Sequence, residues 1–151
     1  MTAKEYLEQI GEMHAALMRD VCRLEALRAA ASSPPSAFAG GERVQTSPHD
    51  KMSDVVSNLV NLDAEVSRRW LRYRHAAAVV ASQISALAAA PVGRRVLYSF
   101  YIRRWSVAEI ADAERKSPRQ VKAIKADALT AFEEQFRGAF RRFPYSQKIE
   151  L

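Results

Sequence analysis

The chain contains little that breaks a helix and almost nothing that cross-links one. Its 151 residues include one cysteine, five glycines and six prolines. The lone Cys22 excludes an internal disulfide and any zinc site built on several cysteines, and it suits a reducing compartment. His14, His49 and His75 lie far apart, without metal-ligand spacing. No stretch alternates apolar and polar residues at strand period, so no sheet is expected. The longest weakly polar run, Ala76 to Val92, holds Ser82, Gln83 and Ser85 and is too short and alanine-rich for a membrane span. Glu5, Glu8 and Glu12 interrupt the first apolar positions, which argues against a secretory signal peptide. A phosphate-binding glycine loop and a dinucleotide fingerprint are also missing. Cys22 has no nucleophile motif around it, and Glu133-Glu134 reads as a solvated helix face rather than an acid–base pair. The expectation is a helical, soluble, cytoplasmic protein without a cofactor that is not an enzyme.

Positive charge is present but unevenly placed. Residues 1–90 carry ten basic and ten acidic side chains, whereas residues 91–151 carry thirteen basic and seven acidic. The whole excess of +6 therefore sits in the C-terminal part. Segregated positive charge draws a polyanion and displaces its counterions, which favours nucleic acid as the partner.

Apolar periodicity predicts two long helices. Over residues 3–31, Leu7, Ile10, Leu17, Val21, Leu24 and Ala31 recur at spacings of three and four, with Met13 and Leu27 beside the stripe. Residues 32–48 are rich in Ser, Pro and Gly and read as a loop in which Phe38, Val44 and Gln45 pack locally. From about Asp50 to about Ala89, Met52, Leu59, Val66, Tyr73, Val80 and Leu87 are spaced by seven. Val55 and Leu62, then Trp70, Ala77 and Ile84, supply the second seam position, as in a coiled coil. Trp70 and Tyr73 accordingly read as packing residues. A helix of about 40 residues spans roughly 60 Å, so the first helix is expected to fold back along it as an antiparallel hairpin. Part of the second helix then needs cover from the C-terminal domain or a second subunit. The fold class that follows is all-α: a long N-terminal antiparallel helical hairpin (coiled coil, 1–90, with an oligomerisation role), a helix-turn-helix domain (91–134), and a basic, aromatic tail (135–151).

Residues 105–125 carry the functional signal. Ser106 with Glu109 is a capping box, and Ser117 with Gln120 is a second, with Pro118 at the first helical position. Two short helices with signed starts and a tight corner between them make a helix-turn-helix, whose second helix enters a DNA major groove. Val96, Leu97, Phe100 and Tyr101 form a supporting helix. Val107, Ile110, Ala111, Val121, Ile124, Ala128 and Phe132 form the domain core. On recognition helix 118–134 the opposite side presents Arg119, Lys122 and Ala123, with Gln120 beside them. These are the candidate base readers: Arg119 for guanine, Gln120 for adenine unless the capping box holds it, Ala123 for a thymine methyl. Arg103, Arg104, Arg115, Lys116 and Ser117 are the candidate phosphate contacts. Lys125 lies nearer the core flank, with an internal ion pair and DNA contact both open. In the tail, Phe140, Phe143 and Tyr145 are expected to pack more than Arg137, Arg141 and Arg142 are to extend a DNA footprint.

Ser117 to Phe132, S-P-R-Q-V-K-A-I-K-A-D-A-L-T-A-F, resembles the recognition helix of region four of bacterial sigma factors, which binds the promoter −35 element. The shared features are the Ser cap, the basic turn after it, Val121, Ile124 and the Ala128-Leu129 pair. Residues 2–134 as a whole resemble small phage and prophage transcriptional regulators of the RinA/ArpU type. The resemblance runs through Glu42-Arg-Val-Gln-Thr-Ser-Pro48, Lys51-Met52, Tyr101-Ile102, Ser106-x-x-Glu-Ile-Ala111 and Ser117-x-Arg-Gln-Val121. It implies control of phage gene expression. The family pattern usually has Gly where Arg115 stands and an apolar residue where Glu114 stands. A positive φ at Arg115 would cost on the order of 1 kcal/mol.

The function expected is a sequence-specific, double-stranded-DNA-binding transcription regulator, dimeric and in possible contact with RNA polymerase. Two alternatives remain open at this point: a phage terminase small subunit, and a coiled-coil protein that binds RNA polymerase without DNA.

Overall fold

The computed structural model describes residues 1–32 and 48–141. The expectations for Phe38, Val44 and Gln45, and for Arg142, Phe143 and Tyr145, fall outside the described residues. All regular structure among the described residues is helical. The elements are α1 (Ala3–Ser32), α2 (Pro48–Ser85), α3 (Pro91–Leu97), a π-helical turn (Tyr98–Ile102), α4 (Val107–Glu114), α5 (Pro118–Phe136) and a 3-10 turn (Arg137–Arg141). None of the described helices is long and apolar enough to cross a membrane.

The chain forms two compact units, whose boundary cuts through both long helices. One unit joins Met1–His14 to the chain from Arg72 onward; the other is Ala15–Leu71. Residues 91–134 thus share their unit with the ends of α1 and α2.

In the first unit the main core gathers Tyr6, Leu7 and Ile10 from α1 with Ala76, Val80 and Ile84 from α2. Leu97, Tyr101, Ala128, Phe132 and Phe140 complete it. Tyr6 lies at its centre. Its ring meets Phe140 at 4.9 Å and Phe132 at 6.2 Å, and its hydroxyl hydrogen-bonds Gln83 at 3.0 Å. Burial and that bond satisfy both ends of the side chain. His14 meets Tyr73 edge-on at 5.3 Å. These contacts descend α2 as they climb α1.

A second cluster joins Val96 of α3 to Ile110, Ala111 and Val121, with Phe100, Trp105, Val107 and Ile124 half-buried around it. The expected domain core is therefore split. Val121 and Ile124 at the start of α5 pack on α3 and α4, whereas Ala128 and Phe132 further along pack on the helix ends. The π-helical turn contributes to that split. Its widened backbone keeps Leu97 and Tyr101 in the main core while Phe100 packs against both clusters. Gly93 lets α3 approach α5 closely, since a Cβ there would stand 3.2 Å from that of Ala128.

α2 ends at Ser85, four residues before the expected end near Ala89. Ala90, before Pro91, adopts ψ 141°, the extended conformation that the proline ring requires of its predecessor. Gln135 holds the resulting turn from both sides. Its Oε1 accepts the Ala88 N–H at 2.7 Å and its Nε2 donates to the Ala86 carbonyl at 3.0 Å.

In the second unit, Leu17 and Leu24 of α1 are buried, and Leu59, Leu62 and Val66 of α2 are half-buried. Arg28 pairs with Asp63 at 2.7 Å, and Arg69 with Asp20 and Glu65. The seven-residue pattern continues further than its burial does: its members Met52, Val55 and Trp70 are exposed, as are Val56, Val60 and Leu71 beside it.

Candidate nucleic-acid interface

Both expected capping boxes form. Ser106 Oγ accepts the Glu109 N–H at 3.3 Å, and the Glu109 carboxylate accepts the Ser106 N–H at 2.7 Å. These bonds hold the Glu109 carboxyl below its ordinary range. Ser117 Oγ accepts the Gln120 N–H at 3.2 Å, and Gln120 Oε1 accepts the Ser117 N–H at 2.9 Å. A third box, absent from the sequence reading, starts α1: Thr2 Oγ1 accepts the Glu5 N–H at 3.2 Å and Glu5 accepts the Thr2 N–H at 2.7 Å.

The corner between α4 and α5 turns on Arg115, with φ 53° and ψ 47°. The Lys116 N–H donates to the Ala111 carbonyl at 3.0 Å and the Arg115 N–H to that of Asp112 at 3.3 Å. This is the paired closure of a Schellman turn, whose left-handed position usually holds glycine. Glu114 is tied to Arg95 of α3 by two bonds, 2.9 and 2.7 Å long. Hydrogen bonding to Arg95 holds the Glu114 carboxyl low.

The α4 cap, the corner and the α5 cap together fix the start of α5. Along it Arg119, Gln120, Lys122 and Ala123 are exposed while Val121 is buried. Neither Arg119 nor Lys122 pairs with an acid among the described residues. Gln120 is committed to the capping box through its oxygen. A bidentate adenine contact needs both its oxygen and its amide hydrogens, so it would require the cap to open. Arg115 and Ser117 are exposed and Lys116 is half-buried at the corner.

Arg103 and Arg104 diverge. Both are exposed, and Arg104 has φ 58°, a second left-handed non-glycine residue. The Arg103 guanidinium stands over the rings of Trp105, at 5.1 Å, and Tyr98, at 5.5 Å. Lys125 forms no ion pair among the described residues. Its Nζ stands 3.5 Å from the centre of the Phe100 ring, and burial pulls its pKa down. The neighbouring Tyr101 hydroxyl is buried without a hydrogen-bond partner among the described residues, and burial pushes its pKa up to about 12. Within the described part of the tail, Phe140 packs in the main core. Arg137 reaches Glu133 at 3.8 Å.

Among the described residues no three His, Cys, Asp or Glu side chains are grouped to hold a metal. Comparison of the chain with family models, curated proteins and solved structures returned no match.

Proposed function

We propose that this protein is a sequence-specific DNA-binding regulator of phage or prophage transcription. In this reading α4 and α5 are a helix-turn-helix resembling sigma factor region four, and α1 and α2 form an antiparallel hairpin. The observation that carries it is the outer face at the start of α5. Two cations, Arg119 and Lys122, stand exposed and without an acidic partner among the described residues, on a helix whose start is aligned by Ser117 and Gln120. N-terminal residues of a recognition helix reach base edges, and a guanidinium pairs with guanine O6 and N7. Arg115, Lys116, Ser117 and Arg104 then contact phosphates on either side. One such helix makes few base contacts, so useful affinity calls for two copies or for RNA polymerase beside it.

The test is a fluorescence-anisotropy titration on random duplex and on duplexes from upstream of phage late genes, over a salt series. The expected result is a preferred duplex and an affinity that falls linearly in log–log form with salt. No binding to any duplex at low salt would overturn the proposal.

A further inference from the structure

The arginines that flank the proposed DNA-reading helix are not all directed to it. A cavity of about 470 Å³ opens between the end of α2, α3, the π-helical turn and the end of α4. No residue of α5 lines it. Arg94, Arg95 and Arg103 do, against a single carboxylate, Glu114. Arg95 is bound to Glu114 on both sides of its fork, and Arg94 donates one bond to the Ser85 carbonyl at 3.3 Å. Arg103 donates no side-chain hydrogen bond among the described residues. Its charged plane is held by Trp105 and Tyr98, so the edge donors of a fixed guanidinium are left for a ligand. The rest of the wall is mostly apolar, with Ile84, Pro91 and Ala113 in it, and holds two serines, Ser85 and Ser99.

Local backbone irregularity is concentrated at the same place. The π-helical turn, a rare form that is frequent at functional sites, supplies Tyr98. Its carbonyls accept the N–H groups of the loop that follows: Tyr98 from Arg103 at 3.1 Å and Ser99 from Trp105 at 3.0 Å. Arg104, between Arg103 and Trp105, is left-handed without being glycine. A loop of this kind holds its strain only because its surroundings fix it, and such strain clusters at ligand sites. A cavity of this size, mostly apolar with a few fixed polar groups, is the form of a small-molecule site.

We infer that the cavity binds a small organic anion with a flat apolar body, its phosphate or carboxylate head held by Arg103 and Arg94. Two guanidiniums suit either head, because both present paired oxygens. The site is separate from the start of α5, and its test contains no DNA, so its outcome is independent of the proposed function.

The chain has two tryptophans, so Trp70→Phe leaves Trp105 as the sole reporter at the cavity wall. That protein is titrated with adenosine 5′-monophosphate, with benzoate and with inorganic phosphate, following Trp105 emission. One or both aromatic anions are expected to give a saturable shift with a dissociation constant below about 1 mM. Inorganic phosphate should bind at least roughly tenfold more weakly, since a head alone leaves the apolar wall unfilled. The two aromatic anions separate a nucleotide-like ligand from a carboxylate. Arg103→Gln should weaken binding about tenfold or more. Ala113→Phe, which fills the cavity and keeps every arginine, should do the same. Absence of saturation with both aromatic anions, equal affinity for inorganic phosphate, or undiminished binding by both variants would each overturn the inference.

Discussion

Arg95 on α3 and Glu114 at the end of α4 meet through two parallel bonds, Nε to Oε1 at 2.9 Å and Nη2 to Oε2 at 2.7 Å. The carboxylate is the more enclosed partner, 15% exposed against 55% for the arginine. The pair braces the corner from which α5 departs. Arg95→Met should lower Tm and leave Glu114 half-buried without its cation. Hydrogen bonding to Arg95 comes first in depressing the Glu114 carboxyl. The stability it contributes is therefore full above the ordinary carboxylate range and lost as pH falls through the depressed value. Thermal melts of the parent and Arg95→Met between pH 7 and 3 should converge at the acid end.

Arg115 is held in the left-handed region at φ 53°. Arg115→Gly should raise stability by up to about 0.5 kcal/mol, the left-handed penalty less the extra freedom of glycine in the unfolded chain. Urea unfolding checks this. If Arg115 also contacts a phosphate, the same variant should reduce the slope of log affinity against log salt by about one. A variant that loses stability would show that the Arg115 side chain does more than tolerate the turn.

Phe140 closes the main core from beyond α5, stacked on Phe132 at 6.1 Å with ring planes 11° apart. Phe140→Ala should cost about 3 kcal/mol by lost burial and the cavity left behind. A cost under about 1 kcal/mol, of the size expected at a surface site, would mean that the 3-10 turn frays in solution.

On the proposed reading face, Arg119→Ala should cost about 1–3 kcal/mol of DNA affinity and relax preference at one base position. Lys122→Ala should do likewise at a neighbouring position. An Arg119→Ala protein that still discriminates as the parent does would remove Arg119 from the readers.

His14 gives a pH signature of opposite origin to that of Glu114. Burial first, and then the positive charge of Arg104, lower its pKa from the ordinary imidazole value. Protonation therefore costs the folded state more than the unfolded one. Stability should fall as pH drops through about 6.5 and below. His14→Phe keeps a ring against Tyr73 and should flatten the dependence between pH 7 and 5.

What was legible in the sequence is what sequence neighbours decide. The boxes at Ser106 and Ser117 need only residues three apart, and both form as read. The box at Thr2 obeys the same three-residue rule, but its Glu5 also interrupts the apolar positions, which masks it as a helix start. The long helices and most of their inward stripe follow from periodicity. Gln135 was not legible as the clamp on the Ala86–Ala88 turn, because its partners lie almost fifty residues away and a single exposed amide carries no pattern. Nor was the placing of Arg103, which depends on the π-helical turn bringing Tyr98 and Trp105 beneath it. The even seven-residue spacing of α2 predicted burial along its whole length. Burial needs an opposing surface as well as a stripe, and at Met52 and Val55 the described residues do not supply it.

The location of Tyr6 governs the order in which the molecule can be built. On a ribosome, the first turns of α1 emerge long before Phe132 and Phe140 exist. The unit made of Ala15–Leu71 has its whole sequence available by then and can condense first. The unit containing the start of α5 must wait until Phe132 and Phe140 have emerged, holding Tyr6, Leu7 and Ile10 open to chaperones in the meantime. Circular permutation that joins the α1 start to the chain beyond Phe140 would bring these residues together early, and refolding of that unit should accelerate accordingly.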